Sequence, residues 1–337
     1  MRRRGVTVLL GALTTALLSI GVLATPVPYV VLVPGPTVDT LGVKDGREVI
    51  QVTDRETSTS AGQLRLTTVG VQSDVRLLAA IAGWFDDEQA VVPSELIYPP
   101  GQSREQVEQR NAEDFRESQT SAETAALREL GYPVQVVVRE VAGGGPADGL
   151  LRPGDVITSV DNVEVTGAAR LVKLIGSKPA GSELVIGYIR DGVSDTVTVT
   201  SVEEDGRPRI GVTVSQEQPH PFDLKIELDR IGGPSAGLMF ALGIIDKLAP
   251  EDLTGGKIIA GTGTIDDEGN VGAIGGIPQK LVGAREAGAE IFLVPAENCA
   301  EAVRNAQPGL RLVKVSTLKE ALAALETLRA GGEPPGC

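Results

Sequence analysis

The most strongly apolar part of the chain lies at its amino terminus. Residues 5–25 form an uncharged, mostly apolar run that follows an arginine triplet at residues 2–4. A helix that spans a bilayer needs about 20 apolar residues, and arginines on one flank favour the cytoplasmic side. The pattern therefore predicts a transmembrane helix, with a cytoplasmic amino terminus and the remaining chain outside the cytoplasm. A cleaved signal peptide is the alternative, because Val22-Leu23-Ala24 is an acceptable cleavage site.

Between residues 26 and 131, short apolar segments with turn residues between them precede a long polar helix. Alternating apolar positions predict strands in three segments: PYVVLVPGPTVDT, GREVIQVTD and GQLRLTTVGV. Helical spacing follows in SDVRLLAAIAGWF and again in the charged segment from Ser103 to Leu130. Gly131 is suited to the position just past the end of that helix.

The second half of the chain first repeats strand patterns and then alternates strands with helices. Residues 132–210 predict a small β-rich unit with the strands VQVVVREV, SELVIGYIRDG and DTVTVTSV and the helix GAARLVKLIGSK. After Gly211 a hairpin turns at 266–270, and helix and strand patterns then alternate to the end, which predicts an α/β domain. Thr317 and Glu320 have the spacing of a capping box in front of the last helix.

Composition excludes several classes of function. The chain has 31 Lys and Arg against 45 Asp and Glu, a net charge of −14, which disfavours nucleic acid as a partner. One histidine and two cysteines leave no ligand set for zinc, so we expect no metal. His220 lies between two prolines and is interpreted as part of a loop connector. Cys299 and Cys337 either pair or remain thiols.

The segment GGPSAGLMFALGIIDKL, residues 232–248, places a serine on a glycine-rich turn before an apolar helix. Ser235 is either an N-cap, the usual role of serine at that position, or a nucleophile. A nucleophilic serine needs a base, and the chain offers no usable histidine.

Lys280 is the candidate base. It lies in the first turn of the helix that begins near Pro278, where the positive end of the helix dipole disfavours a cation. The neighbouring apolar residues remove water, and both effects lower the pKa of the amine towards the range of a general base. A lysine that merely extends to the surface is the alternative.

Three motifs together resemble the Lon protease proteolytic domain, peptidase family S16: GGPSAG, Gly261-Thr262-Gly263 and IGGIPQK. The resemblance implies that Ser235 is the nucleophile and Lys280 the base, 45 residues later, and that Thr262 orients the amine. It also implies that the backbone of Gly232, Gly233 and Pro234 stabilises the oxyanion and contacts the backbone of the substrate.

Residues 132–210 resemble a PDZ domain. The motifs that carry the resemblance are Gly145-Pro146-Ala147, the segment LRPGDVI at residues 151–157 and the Val-Asp-Asn turn that follows. A PDZ domain binds an extended peptide at a sheet edge and captures its terminal carboxylate. The usual carboxylate loop is missing in front of VQVVVREV, and Ile210-Gly211-Val212 is its best substitute, as in circularly permuted PDZ domains. A PDZ-like spacer without a ligand is the alternative.

These features predict an α/β (α+β) Lon-type proteolytic domain with an inserted, small, β-rich PDZ domain and an N-terminal transmembrane helix. The expected segments are an anchor at residues 1–25, the first part of the Lon-like domain at 26–131, the PDZ domain at 132–210, the Ser/Lys proteolytic domain at 211–330 and a tail at 331–337.

The combination resembles the membrane-anchored, PDZ-containing Lon-like proteases of Gram-positive bacteria. It implies a serine endopeptidase with polypeptide substrates, namely exported or membrane proteins, and with the membrane itself as a partner. We expect no cofactor and no ATP, because the chain contains no GxxxxGK(S/T) motif. Lon domains commonly form homo-oligomers. A carboxy-terminal processing protease and a catalytically silent PDZ scaffold or holdase are the competing interpretations.

Overall fold

The chain builds part of one structural unit, forms a second unit, and then returns to complete the first. The computed structural model describes residues 2–228 and 231–337; for residues 1–6 and 8 no side chain is described. The first unit comprises Met1–Ala125 and Leu224–Cys337, and the second comprises Ala126–Asp223.

The helices of the described chain are α1 (Arg2–Leu23), α2 (Leu77–Trp84), α3 (Arg104–Glu129), α4 (Ala168–Gly176), α5 (Gly237–Leu248), α6 (Ile277–Glu286), α7 (Cys299–Arg304) and α8 (Leu318–Arg329). The predicted polar helix is confirmed as α3, and Gly131 follows it with a φ of +88°. The predicted cap of α8 is also confirmed, because Thr317 Oγ1 accepts a hydrogen bond from Glu320 N (3.1 Å).

The strands of the first unit that precede the second unit in sequence are β1 (Tyr29–Pro34), β2 (Val38–Asp39), β3 (Val43–Lys44), β4 (Arg47–Glu48), β5 (Ile50–Thr53), β6 (Gln63–Leu66), β7 (Val69–Gln72) and β8 (Ala90–Pro93). Those of the second unit are β9 (Gln135–Val141), β10 (Val156–Val160), β11 (Val163–Glu164), β12 (Glu183–Arg190), β13 (Val193–Thr200), β14 (Val202–Glu204), β15 (Arg207–Arg209) and β16 (Val212–Glu217). The remaining strands are β17 (Asp223–Ile226), β18 (Ile258–Gly261), β19 (Thr264–Ile265), β20 (Val271–Gly272), β21 (Ile291–Pro295) and β22 (Arg311–Val315).

A five-stranded sheet in the order β2-β6-β18-β21-β22 organises the first unit. Its last four strands are parallel, and β2 is antiparallel at one edge. All residues of β21 are buried, as expected for a parallel strand covered on both faces, and all residues of α5 are buried as well. A smaller antiparallel sheet has the order β7-β1-β8.

The predicted strand GQLRLTTVGV is wrong as a single strand. The structure divides it into β6, which pairs with β18, and β7, which pairs with β1. The division falls at Thr67, a buried residue whose Oγ1 donates a hydrogen bond to Gly261 O (3.2 Å), and at Thr68, whose carbonyl accepts one from Gly35 N. A pattern of alternating residues carries no information about which sheet each half joins, so this break depends on tertiary contacts.

The second unit is built on an antiparallel sheet in the order β13-β12-β10-β9-β16, with β11 paired to β10. Its apolar core packs α4 onto this sheet through buried residues such as Leu171, Leu184 and Ile186. The last strand in sequence, β16, pairs with β9 and forms one edge of the sheet.

The predicted transmembrane helix, and with it the predicted single-pass membrane location, is wrong. Among the described residues no helix combines the length and the apolar character that a membrane span requires. The side chains of the arginine triplet lie outside the described set.

The two cysteines, whose pairing the sequence left open, form a disulfide between Cys299 and Cys337. The tail that carries Cys337 lies along the sheet: Lys314 N, on β22, donates a hydrogen bond to Pro335 O (3.0 Å). Gly336 also forms an isolated antiparallel bridge with Val313.

Candidate active site

Ser235 lies in the turn immediately before α5. The N-cap alternative is wrong, because the N-cap of α5 is Ala236 and no side chain caps the helix. The carbonyl of Ser235 accepts two hydrogen bonds, from Gly263 N (3.0 Å) and from Thr262 Oγ1 (3.0 Å). Gly233 reaches a φ of +84°, which other residues rarely adopt, so glycine allows the sharp turn. The side chain of Ser235 is therefore not used for capping.

Helix α3 contacts this turn through two hydrogen bonds. Asn111 O accepts a hydrogen bond from Gly233 N (2.8 Å), and the Ser118 hydroxyl donates one to Pro234 O (3.0 Å). A Cβ atom added at Gly232 would lie 2.9 Å from the Cβ of Asn111, which is too close. The absence of a side chain at Gly232 therefore allows α3 to pack closely against the turn. Sequence patterns did not indicate a role for Asn111 or Ser118, because α3 reads as an ordinary polar helix and only the folded chain brings it to the turn.

Lys280 projects from the first turn of α6, whose N-cap is Gly276. The lysine side chain is buried, with 3% of its surface exposed, and Thr262 is fully buried. The Nζ atom lies 2.8 Å from Ser235 Oγ and 2.9 Å from Thr262 Oγ1. The structure thus brings together the three side chains that the motifs singled out.

Burial determines the charge of this lysine. Removal from water lowers the pKa of Lys280 from 10.5 to about 7, because the cation loses its hydration. A nearby carboxylate would raise the pKa, and among the described residues none contributes. The amine is therefore available in its neutral form near neutral pH.

The hydrogen-bond directions orient the neutral amine. Thr262 Oγ1 donates its only proton to the Ser235 carbonyl, so towards Lys280 it acts as an acceptor. One N–H of Lys280 is consequently directed at Thr262. The nitrogen lone pair can then face the Ser235 hydroxyl 2.8 Å away, which is the geometry of a general base.

A groove of about 730 Å³ opens over the serine. Its lining comprises Pro36, Leu66, Thr67, Thr68, Val69, Gly70, Ile97, Asn111, Ile231, Gly232, Gly233, Pro234, Ser235, Ala236, Thr264, Ala273, Ile274, Gly275 and Lys280. Lys280 is the only ionisable side chain among these residues. In the described part of the chain, no group of three or more His, Cys, Asp or Glu side chains is arranged to hold a metal ion.

Ile210, Gly211 and Val212 line a second groove, of about 710 Å³, within the second unit. Residues of α4, including Leu171 and Val172, also line it. Gly211 has a φ of +73°, so the chain turns sharply as it enters β16. The groove thus contains an edge strand, a glycine turn and an apolar helix face, the parts that strand addition of a peptide requires.

His220 lies in the second unit, in contact with the rings of Tyr132 and Phe222. Its Nδ1 is 2.7 Å from Gln218 O. These contacts fit the interpretation of His220 as part of a connecting loop.

Family models match two parts of the chain. The model described as "Lon protease (S16) C-terminal proteolytic domain" matches residues 230–327, and the PDZ domain model matches residues 106–200. The PDZ match ends before β16, although β16 completes the sheet of the second unit.

Curated relatives of this chain are Lon proteases. Lon protease 2 of Bacillus subtilis is 34% identical over 110 residues, covering 31% of this chain and 19% of the relative. Lon protease 1 of Sorangium cellulosum is 38% identical over 148 residues, covering 38% of this chain and 18% of the relative. The Lon protease of Brucella suis is 28% identical over 187 residues, covering 53% and 22%. The chain spans about a fifth of the length of these relatives.

Two solved structures with local similarity are PDZ domains of SdrC-like proteins. The domain from Listeria monocytogenes is 27% identical, covering 23% of this chain and 85% of that chain, with a TM-score of 0.23. The domain from Listeria innocua is 26% identical, covering 26% and 99%, with a TM-score of 0.24. At such TM-scores neither similarity supports a conclusion.

Proposed function

Because the chain carries a Lon-type (S16) serine protease domain together with a PDZ domain, we propose that it is an endopeptidase in which Ser235 is the nucleophile and Lys280 the general base. The observation that carries the proposal is the 2.8 Å separation between Lys280 Nζ and Ser235 Oγ in a buried environment. An amine with a pKa of about 7 is matched to proton transfer at neutral pH.

The reaction begins with transfer of the Ser235 hydroxyl proton to neutral Lys280. The Oγ atom attacks the scissile carbonyl, and a tetrahedral intermediate forms. Lys280 returns the proton to the leaving amine, which departs as the C–N bond breaks and the acyl-enzyme remains. Water then gives its proton to the same amine and attacks the acyl carbon, and Ser235 regains its proton when the ester bond breaks.

The amino-terminal end of α5 is the proposed site for the oxyanion. The N–H groups of Ser235 and Ala236 have no hydrogen-bond partner among the described residues. Backbone N–H groups at a helix start are suited to negative charge. The N–H of Gly233 is not free for this role, because it donates a hydrogen bond to Asn111 O. Gly232, Gly233 and Pro234 instead form the lining of the groove beside the serine.

The PDZ domain is proposed to bind the substrate polypeptide. The free edge of β16 and the groove lined by Ile210, Gly211, Val212 and α4 support this role, since an extended chain can add to such an edge. The two functions are separable: the dyad cleaves, whereas the second groove raises the affinity for longer substrates.

The test of the dyad is a peptide digestion assay, read by mass spectrometry, on the wild type and on Ser235→Ala and Lys280→Ala. We expect each substitution to reduce kcat by about 10⁴-fold, because removing one member of a catalytic unit removes most of its effect. A fluorophosphonate probe should label the wild type and not Ser235→Ala. Lys257→Ala, which removes a partly exposed lysine of the same unit, serves as the control and should retain full activity. Turnover that survives both dyad substitutions would exclude the proposed mechanism, whereas a wild type without turnover would favour the silent PDZ scaffold.

Independence from ATP and formation of a homo-oligomer remain predictions from the resemblance. The assay is therefore run with and without nucleotide, and we expect equal rates because the reaction uses only groups of the site. Analytical ultracentrifugation of the same sample measures the oligomeric state.

A further inference from the structure

Asn298 occupies a helix-capping position without capping the helix. It is the N-cap of α7, where asparagine usually accepts a hydrogen bond from a backbone N–H of the first turn, but its side chain makes no such bond. Both ends of its amide instead bond to Ile274: Oδ1 accepts from Ile274 N (2.9 Å), and Nδ2 donates to Ile274 O (2.9 Å). Only 7% of Asn298 is exposed. The buried side chain of Asn298 thus forms both of its hydrogen bonds with the backbone of Ile274, which lies in another segment of the chain.

That backbone residue belongs to the wall of the groove above Ser235. Residues 273–275 line the groove and lead directly to Gly276, the N-cap of the helix that carries Lys280. Ala273 and Gly275 are exposed, whereas Ile274 is half-buried and packs against the apolar cluster that includes residues of α6.

The bonds of Ile274 leave its two neighbours available to a ligand. Both polar backbone groups of Ile274 are directed at Asn298, whereas Ala273 and Gly275 on either side of it are exposed and line the groove. Among the described residues, the N–H groups of Ala273 and Gly275 donate no hydrogen bond.

We infer that Asn298 is a positioning residue that holds residues 273–275 in a fixed conformation, in which the free N–H groups of Ala273 and Gly275 form hydrogen bonds with the backbone of the substrate. This inference rests on the proposed protease function and assigns one wall of its substrate site. Asn298 touches neither the dyad nor the substrate. Ser235, Thr262 and Lys280 bond to one another without it, so its loss should affect KM rather than kcat.

The experiment compares the wild type with Asn298→Ala and Asn298→Asp. A ten-residue fluorogenic peptide gives KM and kcat, and a small fluorophosphonate gives the labelling rate of Ser235. We expect KM to rise about tenfold in Asn298→Ala, because the backbone of Ile274 loses its hydrogen-bond partner and the groove wall is no longer held in place. The kcat and the labelling rate should stay within about threefold of the wild-type values. Asn298→Asp should change in the same direction, because a carboxylate accepts from Ile274 N but cannot donate to Ile274 O.

Asn305→Ala is the matched control. Asn305 Nδ2 donates to Glu301 O at the other end of α7 (2.8 Å), so its loss weakens the same helix without touching Ile274. KM in this variant should equal the wild-type value. An unchanged KM in the Asn298 variants overturns the inference. So does a fall in kcat and in the labelled fraction at constant KM, since that pattern indicates a merely structural role. Circular dichroism checks folding, and Asn298→Asp carries the test if Asn298→Ala does not fold.

Failure of the proposed function is distinguishable from failure of this inference. A wild type that neither cleaves peptide nor reacts with the probe contradicts the protease proposal. Binding of a fluorescent peptide to Ser235→Ala and to the double variant Ser235→Ala/Asn298→Ala is then measured by anisotropy. Weaker binding to the double variant supports the role of Asn298, and equal binding overturns it.

Discussion

At the scale of single residues, the central feature is an amine that the fold keeps out of water. Lys280 has two hydroxyl neighbours, Ser235 and Thr262, and no carboxylate contributes to its pKa among the described residues. Hydroxyl groups satisfy its hydrogen bonds without stabilising its charge, so the neutral form becomes accessible. A surface lysine would remain protonated at neutral pH and could not accept a proton.

The pH dependence of activity should follow from this amine. Because the base must be neutral, kcat/KM is expected to be high above the pKa of about 7 and to fall about tenfold per pH unit below it. The measurement is the initial rate of peptide cleavage between pH 5 and 9, with the protein verified as folded across that range. A rate that instead falls as the pH rises through 7 would contradict a neutral lysine base.

Stability should depend on the same group. In the unfolded chain Lys280 keeps its ordinary pKa of 10.5, so between about pH 7 and pH 10.5 the unfolded state binds a proton that the folded state does not. Its burial therefore opposes folding fully below about pH 7, and the penalty shrinks as the pH rises towards 10.5. We expect Lys280→Met to raise the free energy of unfolding at pH 7 by a few kcal/mol, since each unit of pKa shift corresponds to about 1.4 kcal/mol. Urea denaturation measures this change, and an equal or lower stability would contradict the cost assigned to burial.

Thr262 should contribute to kcat through the orientation of the amine. Thr262→Val keeps the shape of the side chain but leaves one N–H of Lys280 without its acceptor, so we expect kcat to fall about 10–100-fold at constant KM. Thr262→Ser should restore most of the rate. Thr40→Val is the control, because Thr40 is equally buried and bonds to Leu64 O, away from the dyad. Steady-state kinetics of the three variants test whether Thr262 acts by orienting the amine of Lys280. A similar fall in kcat for Thr40→Val would instead indicate an effect on packing.

At the scale of elements, α3 has a role that its sequence does not suggest. It contacts the GGPSAG turn through Asn111 O and the Ser118 hydroxyl, and Phe115 packs edge-to-face on Phe240 of α5. The helix thus holds both the turn and the helix that follows it.

Ser118→Ala should therefore reduce catalysis modestly. The lost hydrogen bond to Pro234 O contributes about 1 kcal/mol, so we expect kcat to fall about fivefold. Thr120→Ala, on an exposed face of the same helix, should have no effect on kcat because its hydroxyl bonds to Arg116 O of that helix and not to the turn. Labelling of Ser235 by a fluorophosphonate gives an independent readout of the turn geometry. Equal kcat values for wild type and Ser118→Ala would show that α3 is not needed to position the turn.

The sequence predicted the elements with strong local signals and missed the contacts between distant segments. The motifs around Ser235, Thr262 and Lys280 are local, and the structure brings these three residues together. The break at Thr67 and the bond from Asn298 to Ile274 were not predicted, because each depends on which segments meet after folding. The membrane span was predicted from an apolar run and its flanking arginines and is wrong, since no helix of the described chain has the required character.

At the scale of the whole molecule, the proposed division of labour predicts that substrate length matters. Val172→Asp places a charge on the face of α4 that lines the groove of the second unit, where Val172 is 65% exposed and its replacement should not disturb the core. We expect KM for an unfolded protein substrate to rise about tenfold, because peptide docking on an apolar helix face is lost, while KM for a ten-residue peptide stays unchanged. Cleavage rates measured over a range of substrate concentrations test this.

Val193→Asp is the matched control for that experiment. Val193 is 67% exposed on β13 and does not line the groove, so the same charge placed there should leave both KM values unchanged. Equal losses for the two substrates, or for the two variants, would argue against substrate binding by the second unit.

The tail that the Cys299–Cys337 disulfide holds in place covers the edge of β22, the outermost strand of the five-stranded sheet. Its Pro335 carbonyl and Gly336 occupy the side of β22 that faces away from β21. An open strand edge is a template on which another molecule can add its own strand. A reductant that releases the tail therefore exposes such a template, and we expect it to inactivate this protein through aggregation between molecules while each dyad is still intact.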